Sequence, residues 1–108
     1  MIKAKMFPSL ITFHRLLPLI LRTSAQLGAY KVEITPGNRG ARVIAFTERG
    51  SREFMRLSTG NYFQLIEEVE EYIQKSIREL RIGEAVFSFS FAFFPTRWGD
   101  QILINFHK

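Results

Sequence analysis

Basic and aromatic side chains, rather than acids set beside histidines, are the reactive and binding groups this sequence concentrates. Lys31, Arg39, Arg42, Arg49, Arg52 and Arg56 crowd around Phe54, and further on Arg97 stands beside Trp98. Guanidinium and ammonium groups suit phosphates, and an aromatic ring between them offers a stacking surface to a base. Acid–base chemistry is poorly provided for. His14 and His107 lie at opposite ends of the chain, and neither has an Asp or Glu beside it. Glu67 and Glu71 share a helical face within the Glu67, Glu68, Glu70, Glu71 cluster and could in principle hold a hard cation. The outer, N-terminal part of an amphipathic helix accounts for those charges more simply. Pro36-Gly37-Asn38-Arg39-Gly40 has no phosphate-loop lysine and no helix after it, so it reads as a turn. No Gly-x-Ser-x-Gly elbow occurs. The expectation is a binding protein without metal or cofactor, with a site shared across a dimer as the one enzymatic arrangement left open.

Composition sets the frame for those groups. The 108 residues fit a single domain, 1–108, with a hydrophobic fraction of 46% and a charged fraction of 23%. Cysteine is absent, which excludes disulfides, zinc ribbons and thiol chemistry and suggests a reducing, cytoplasmic home. Nine Glu against one Asp, with ten Arg and eleven Ile, lean toward a heat-adapted source. The net charge is +5. Residues 1–58 hold ten Lys/Arg against three Glu, whereas 59–84 hold six Glu against three basic residues. Positive potential therefore belongs to the first half. Phe7 to Leu21 is apolar but interrupted by His14, Arg15 and Pro18, and it is too short to span a bilayer. A signal peptide cleaved near Ser24-Ala25-Gln26 is disfavoured by the charge inside it. No membrane partner is expected.

The elements that would position these residues follow from periodicity. Segment 8–27 reads as an N-terminal helix or broken helix, with Pro8 in its first turn, Pro18 kinking or splitting it and Gly28 as its stop. Its apolar residues cover more than one face, which predicts burial against a second copy: a homodimer or larger homo-oligomer. Segment 29–58 reads as a basic three-stranded meander with turns at Pro36–Gly40 and Arg49-Gly50. Segment 60–82 reads as an acidic amphipathic helix, capped by Asn61 and Gln64 and stopped at Gly83. Segment 85–107 reads as a C-terminal hairpin around Pro95–Asp100. The fold class is α+β: a helix, then an antiparallel sheet of about five strands, three before the long helix and two after it.

Placing Glu48 opposite Ser51 sets a register in which Val32, Ile34, Ile44, Met55 and Leu57 form the core face. Lys31, Glu33, Val43, Ala45, Thr47, Arg52, Phe54 and Arg56 then form the other. That second face is the candidate platform, with Arg39, Arg42 and Arg49 extending it at the turns and Arg97 and Trp98 in the last hairpin loop. Phe94 and Tyr62 are lesser stacking candidates. Pairing across the last hairpin sets Phe91 near Ile104, Phe93 near Ile102 and Phe89 near Phe106. The phenylalanine stripe thus belongs to the core, and Ser88, Ser90, Asn105 and His107 to the opposite side.

Basic strands with an Arg-Gly turn (31–58), followed by a long helix (61–81), resemble the small sheet-plus-helix nucleic-acid binders of the Pur and Whirly type. The leading helix and composition are closer to the ThermoDBP-like single-stranded DNA-binding proteins of thermophilic archaea. A Pur-type repeat has four strands before its helix; three are expected here. The resemblance implies single-stranded DNA binding with little sequence preference, in a cleft shaped by dimerisation. On matching residue types it would give phosphate contacts to Arg39, Arg42, Arg49, Arg52 and Arg56, and base stacking to Phe54 and Trp98. RNA remains an equal chemical partner for such a surface. The competing expectation is an assembly module that works through its apolar first helix.

Overall fold

The computed structural model describes residues 15–107. Pro8, His14 and the 8–14 part of the expected first helix lie outside the described residues. The order of elements is α1 (Leu16–Gln26), β1 (Lys31–Gly37), β2 (Gly40–Thr47), β3 (Gly50–Leu57), α2 (Thr59–Gln74), β4 (Glu79–Ile82), β5 (Ala85–Thr96) and β6 (Gly99–His107). The strands form one antiparallel sheet in the order β3-β2-β1-β6-β5-β4. The class is α+β, with six strands where about five were expected. No described helix is long and apolar enough to cross a membrane.

The sixth strand comes out of the expected long helix. Ile77 and Leu80 continue the spacing set by Ile66 and Ile73, so periodicity alone extends that helix to residue 82. Instead α2 ends at Gln74, Ser76 adopts a positive φ of 56°, and Glu79–Ile82 pairs with β5. At the other end Ser58 is the N-cap, not Asn61: its hydroxyl accepts the Asn61 N–H at 3.1 Å.

Helix α1 begins where a distant side chain lets it. Arg15 is extended, and the first two helical N–H groups, of Leu16 and Leu17, donate to the Glu68 carboxylate of α2 at 3.0 and 2.8 Å. Pro18 follows and has no N–H to satisfy. It sits in the first turn of the helix, where a proline fits. Leu17, Ile20 and Leu21 are buried against the core. Arg15 reaches on to Glu71, which also binds Lys75.

Both strand faces are set by the turns, and here the register corrects the expectation. Glycine closes three of the hairpin turns instead of sitting within them, the paired residues being Gly37↔Gly40, Thr47↔Gly50 and Thr96↔Gly99, whereas Gly83 lies inside the turn between Ile82 and Ala85. In two of them a threonine braces the turn. The N–H groups of Arg49 and Trp98 donate to Thr47 and Thr96 Oγ1, whose hydroxyls donate to the carbonyls of Gly50 and Gly99. The Gly37↔Gly40 closure moves β2 by one residue against β1, with Val32 opposite Ala45 and Lys31 opposite Phe46. One residue exchanges the faces. Val43 and Ala45 are wholly buried in the core, and Ile44 with Phe46 takes the opposite side. A bulge opposite Val43/Ile44 leaves Phe54 out of the pairing, packed against the core cluster, and brings Arg56 opposite Arg42 on the side of Ile44. The last hairpin pairs as expected: Phe89↔Phe106, Phe91↔Ile104 and Phe93↔Ile102.

Two tyrosines fix α2 on the sheet. Tyr62 donates from its hydroxyl to the Asp100 carbonyl and presses on Gly99, and the Tyr72 ring meets Phe89. Burial raises the pKa of Tyr62, with the Asp100 charge adding to it and the backbone hydrogen bond opposing it; burial is also the main cause for Tyr72. A phenol whose pKa is raised in the fold favours the protonated state. Its contribution is present below the unfolded value of about 10 and is lost as pH rises through the folded value. Denaturant melts at increasing alkaline pH are therefore expected to lose stability, and Tyr62→Phe is expected to flatten that part of the profile.

Candidate nucleic-acid interface

Both helices pack on one side of the sheet, and no described residue covers the other. Cross-strand pairing places on this open face Arg42, Ile44 and Phe46 of β2, and Lys31, Glu33 and Thr35 of β1. Gln101, Leu103, Asn105 and His107 of β6 join Ser88, Ser90, Ala92 and Phe94 of β5. Ser51, Glu53 and Arg56 complete it on β3. The polar bonds confirm which side chains share this side: Gln101 Nε2 donates to Thr35 Oγ1 at 3.0 Å, and Ser90 Oγ lies 2.8 Å from His107 Nε2.

Topology gathers the basic residues at two ends. β1 finishes where its antiparallel neighbour β6 begins, so the Asn38-Arg39 and Arg97-Trp98 turns project from the same edge of adjacent hairpins. Arg42 and Arg56, paired across β2 and β3, lie one step in from that edge. With Arg39 they line a shallow cleft of about 360 Å³ along Thr35–Arg42 and Arg56-Leu57. Phe94, 49% exposed, pairs with Gln101 near the same edge, and Trp98 is 47% exposed with the Arg97 guanidinium 5.0 Å from its ring. At the opposite end the Lys31 ammonium sits 4.5 Å over the half-buried Phe46 ring, and Arg49 occupies the neighbouring turn.

Of the residues expected from the sequence, Lys31 and Arg56 lie on the open face as anticipated, Arg42 joins them there, and Arg39, Arg49, Arg97 and Trp98 border it. Arg52 and Phe54 do not share it. Arg52 is exposed but pairs with Ala45, in register with the helix-covered side, and Phe54 packs against the core. Phe94, a lesser stacking candidate, lies on this face, Tyr62 of α2 is buried, and Phe46 is the aromatic residue that sequence reasoning missed. Closing the β1–β2 turn at Gly37 and Gly40, and not at its centre, is what places Phe46 outward.

Two glutamates temper the charge. Glu53 accepts from both Arg42 and Arg56, which hold its carboxylate below the usual range, the Arg56 hydrogen bond first and the Arg42 bond second. Lys31 lies 3.5 Å from Glu33. These pairs are solvent-exposed, where an ion pair contributes only ~0–1 kcal/mol. A phosphate can therefore replace Glu53 as partner at small cost. The glutamates of α2 are used differently: Glu68 holds α1, Glu71 binds Lys75 and Arg15, and no group of three metal-ligating side chains occurs among the described residues. No protein-family model matches the chain, and no curated protein aligns with it.

Proposed function

We propose that this protein binds single-stranded nucleic acid, DNA with little sequence preference, across the open face of its sheet. It works as a cytoplasmic binding protein and not as an enzyme. The observation that carries the reading is the pairing of accessible rings with cations on one uncovered surface: Phe46 under Lys31, Trp98 beside Arg97, and Phe94 along the edge that holds Arg39, Arg42 and Arg56. Rings stack on bases of any identity, and the cations between them meet the phosphates. A flat sheet face accepts splayed-out bases, whereas a duplex would present it only backbone. Glu33 and Glu53 set the spacing of the cations and keep them extended until a phosphate arrives.

Fluorescence anisotropy with labelled single- and double-stranded DNA and RNA across a salt series tests this. Single strands are expected to bind best, with affinity falling steeply as salt rises. Phe46→Ala is expected to weaken binding about 5- to 150-fold, the loss of one stack worth ~1–3 kcal/mol. Replacing Arg42 and Arg56 together by alanine is expected to lower the salt slope by about 1.4, at ~0.7 per phosphate on a single strand. Failure of every oligonucleotide to bind at low salt ends the proposal.

A further inference from the structure

We infer that β5 is the contact strand of a symmetric dimer, in which two copies join their sheets edge to edge. The place is a notch. β4 covers β5 only from Ala85 to Ser88, so among the described residues Ser90–Thr96 has a hydrogen-bonded neighbour on its β6 side alone. The Phe89 N–H donates to the Arg78 carbonyl on the β4 side. Because backbone groups alternate along a strand, Phe91 and Phe93 present their N–H and C=O to the side that no described strand pairs there, as Pro95 does its C=O. Proline's missing N–H would also have pointed there, so it costs the β5–β6 ladder nothing.

The other edges of the described sheet are guarded and this one is not. β3 carries Arg52, Glu53 and Arg56 and the bulge, and the short β4 carries Glu79 and Arg81. Strand β5 has no charged residue in its twelve, and Phe93 and Phe94 are 38% and 49% exposed, one on each face of the sheet. Long, uncharged, apolar edges associate. A second copy of this chain is the occupant that fits, since an uncharged strand running antiparallel to itself buries no unpaired charge. A two-fold axis at Phe93 gives two Phe93–Phe93 hydrogen bonds and one from each Phe91 N–H to the partner's Pro95 carbonyl. β4 ends just where the incoming Thr96 would lie, so the joint closes at two copies. The pairing is about 23 Å long at ~3.3 Å per residue, and with the flanking rings it buries roughly 1,000 Å², the lower limit of specific interfaces. The dimer is correspondingly weak, and it forms without nucleic acid.

Sedimentation equilibrium of the full chain over a dilution series, with no oligonucleotide present, tests this. A monomer–dimer equilibrium is expected. Phe93→Lys is expected to raise the dissociation constant by at least about 30-fold, and Leu19→Lys, on the exposed side of α1, to leave it unchanged. Hydrogen exchange on the unaltered chain gives a second reading that needs no variant: the Phe91 and Phe93 amides should become protected as concentration rises. A monomer up to about 1 mM, open-ended aggregation, or a dimer lost with Leu19→Lys but kept with Phe93→Lys would each overturn the inference.

Discussion

Replacing Glu68 by alanine is expected to lower stability by about 3 kcal/mol, a large part of the ~5–15 kcal/mol that holds a domain together. Its carboxylate is almost fully buried and accepts three bonds: from the N–H groups of Leu16 and Leu17 and from Gln64 Nε2 at 2.9 Å. Leu17 is wholly buried, so water cannot reach its N–H once the carboxylate is gone. An unsatisfied buried donor costs ~1–3 kcal/mol, and the lost charge at a helix N-terminus adds ~0.3–1 kcal/mol. Glu68→Gln keeps one acceptor oxygen and should cost about half as much. Denaturant unfolding followed by circular dichroism would show both, with the alanine variant also losing α1 helicity. The open face lies across the sheet from this contact. Folded Glu68→Ala protein should therefore bind DNA as the unaltered chain does, which separates stability from binding.

Glu68 also marks a limit of sequence reading. Its bond to Leu17 spans 51 residues, and nothing local to either partner announces it. Elsewhere legibility depended on whether one phase of a strand was apolar and the other polar. In β5 and β6 the alternation of Phe89, Phe91 and Phe93 with Ser88, Ser90 and Ala92, against Ile102 and Ile104, admits one register, and that register was found. In β2 the run Val43-Ile44-Ala45-Phe46 is apolar in both phases, so the face depended on the turn. Centring the Pro36–Gly40 turn on Asn38, rather than closing it with Gly37 and Gly40, shifted the strand by one against β1. That shift put Val43, Ala45 and Phe54 on the platform and took Phe46 off it. Arginines at the turns survived the error, because a loop residue at a sheet's end stays there in either register. Strand β4 was concealed for a related reason: Ile77 and Leu80 fit a helical period of three or four as well as the start of a strand.

The closing glycines also carry the last and most discriminating expectation. Gly40 and Gly50 share a φ of +121°, a conformation that side chains other than glycine's rarely adopt. Only one of them is crowded. A Cβ on Gly40 would lie 2.0 Å from the Leu57 carbonyl oxygen and 3.3 Å from the Ser58 carbonyl carbon, whereas nothing lies within 4 Å of one on Gly50. Gly50→Ala should then cost the backbone strain alone, about 1–2 kcal/mol. Gly40→Ala should cost that strain and the clash, about 3–5 kcal/mol together, because backbone cannot rotate away as a side chain would. Relief requires β3 to move off β2 at this end, and Arg42 and Arg56 face each other two residues further in. Chemical denaturation of the two variants, with hydrogen exchange along β2 and β3, measures the difference. Equal costs would mean that β3 does not press on Gly40. The Arg39, Arg42 and Arg56 cleft would then owe its shape to the turn and not to the close approach of these strands.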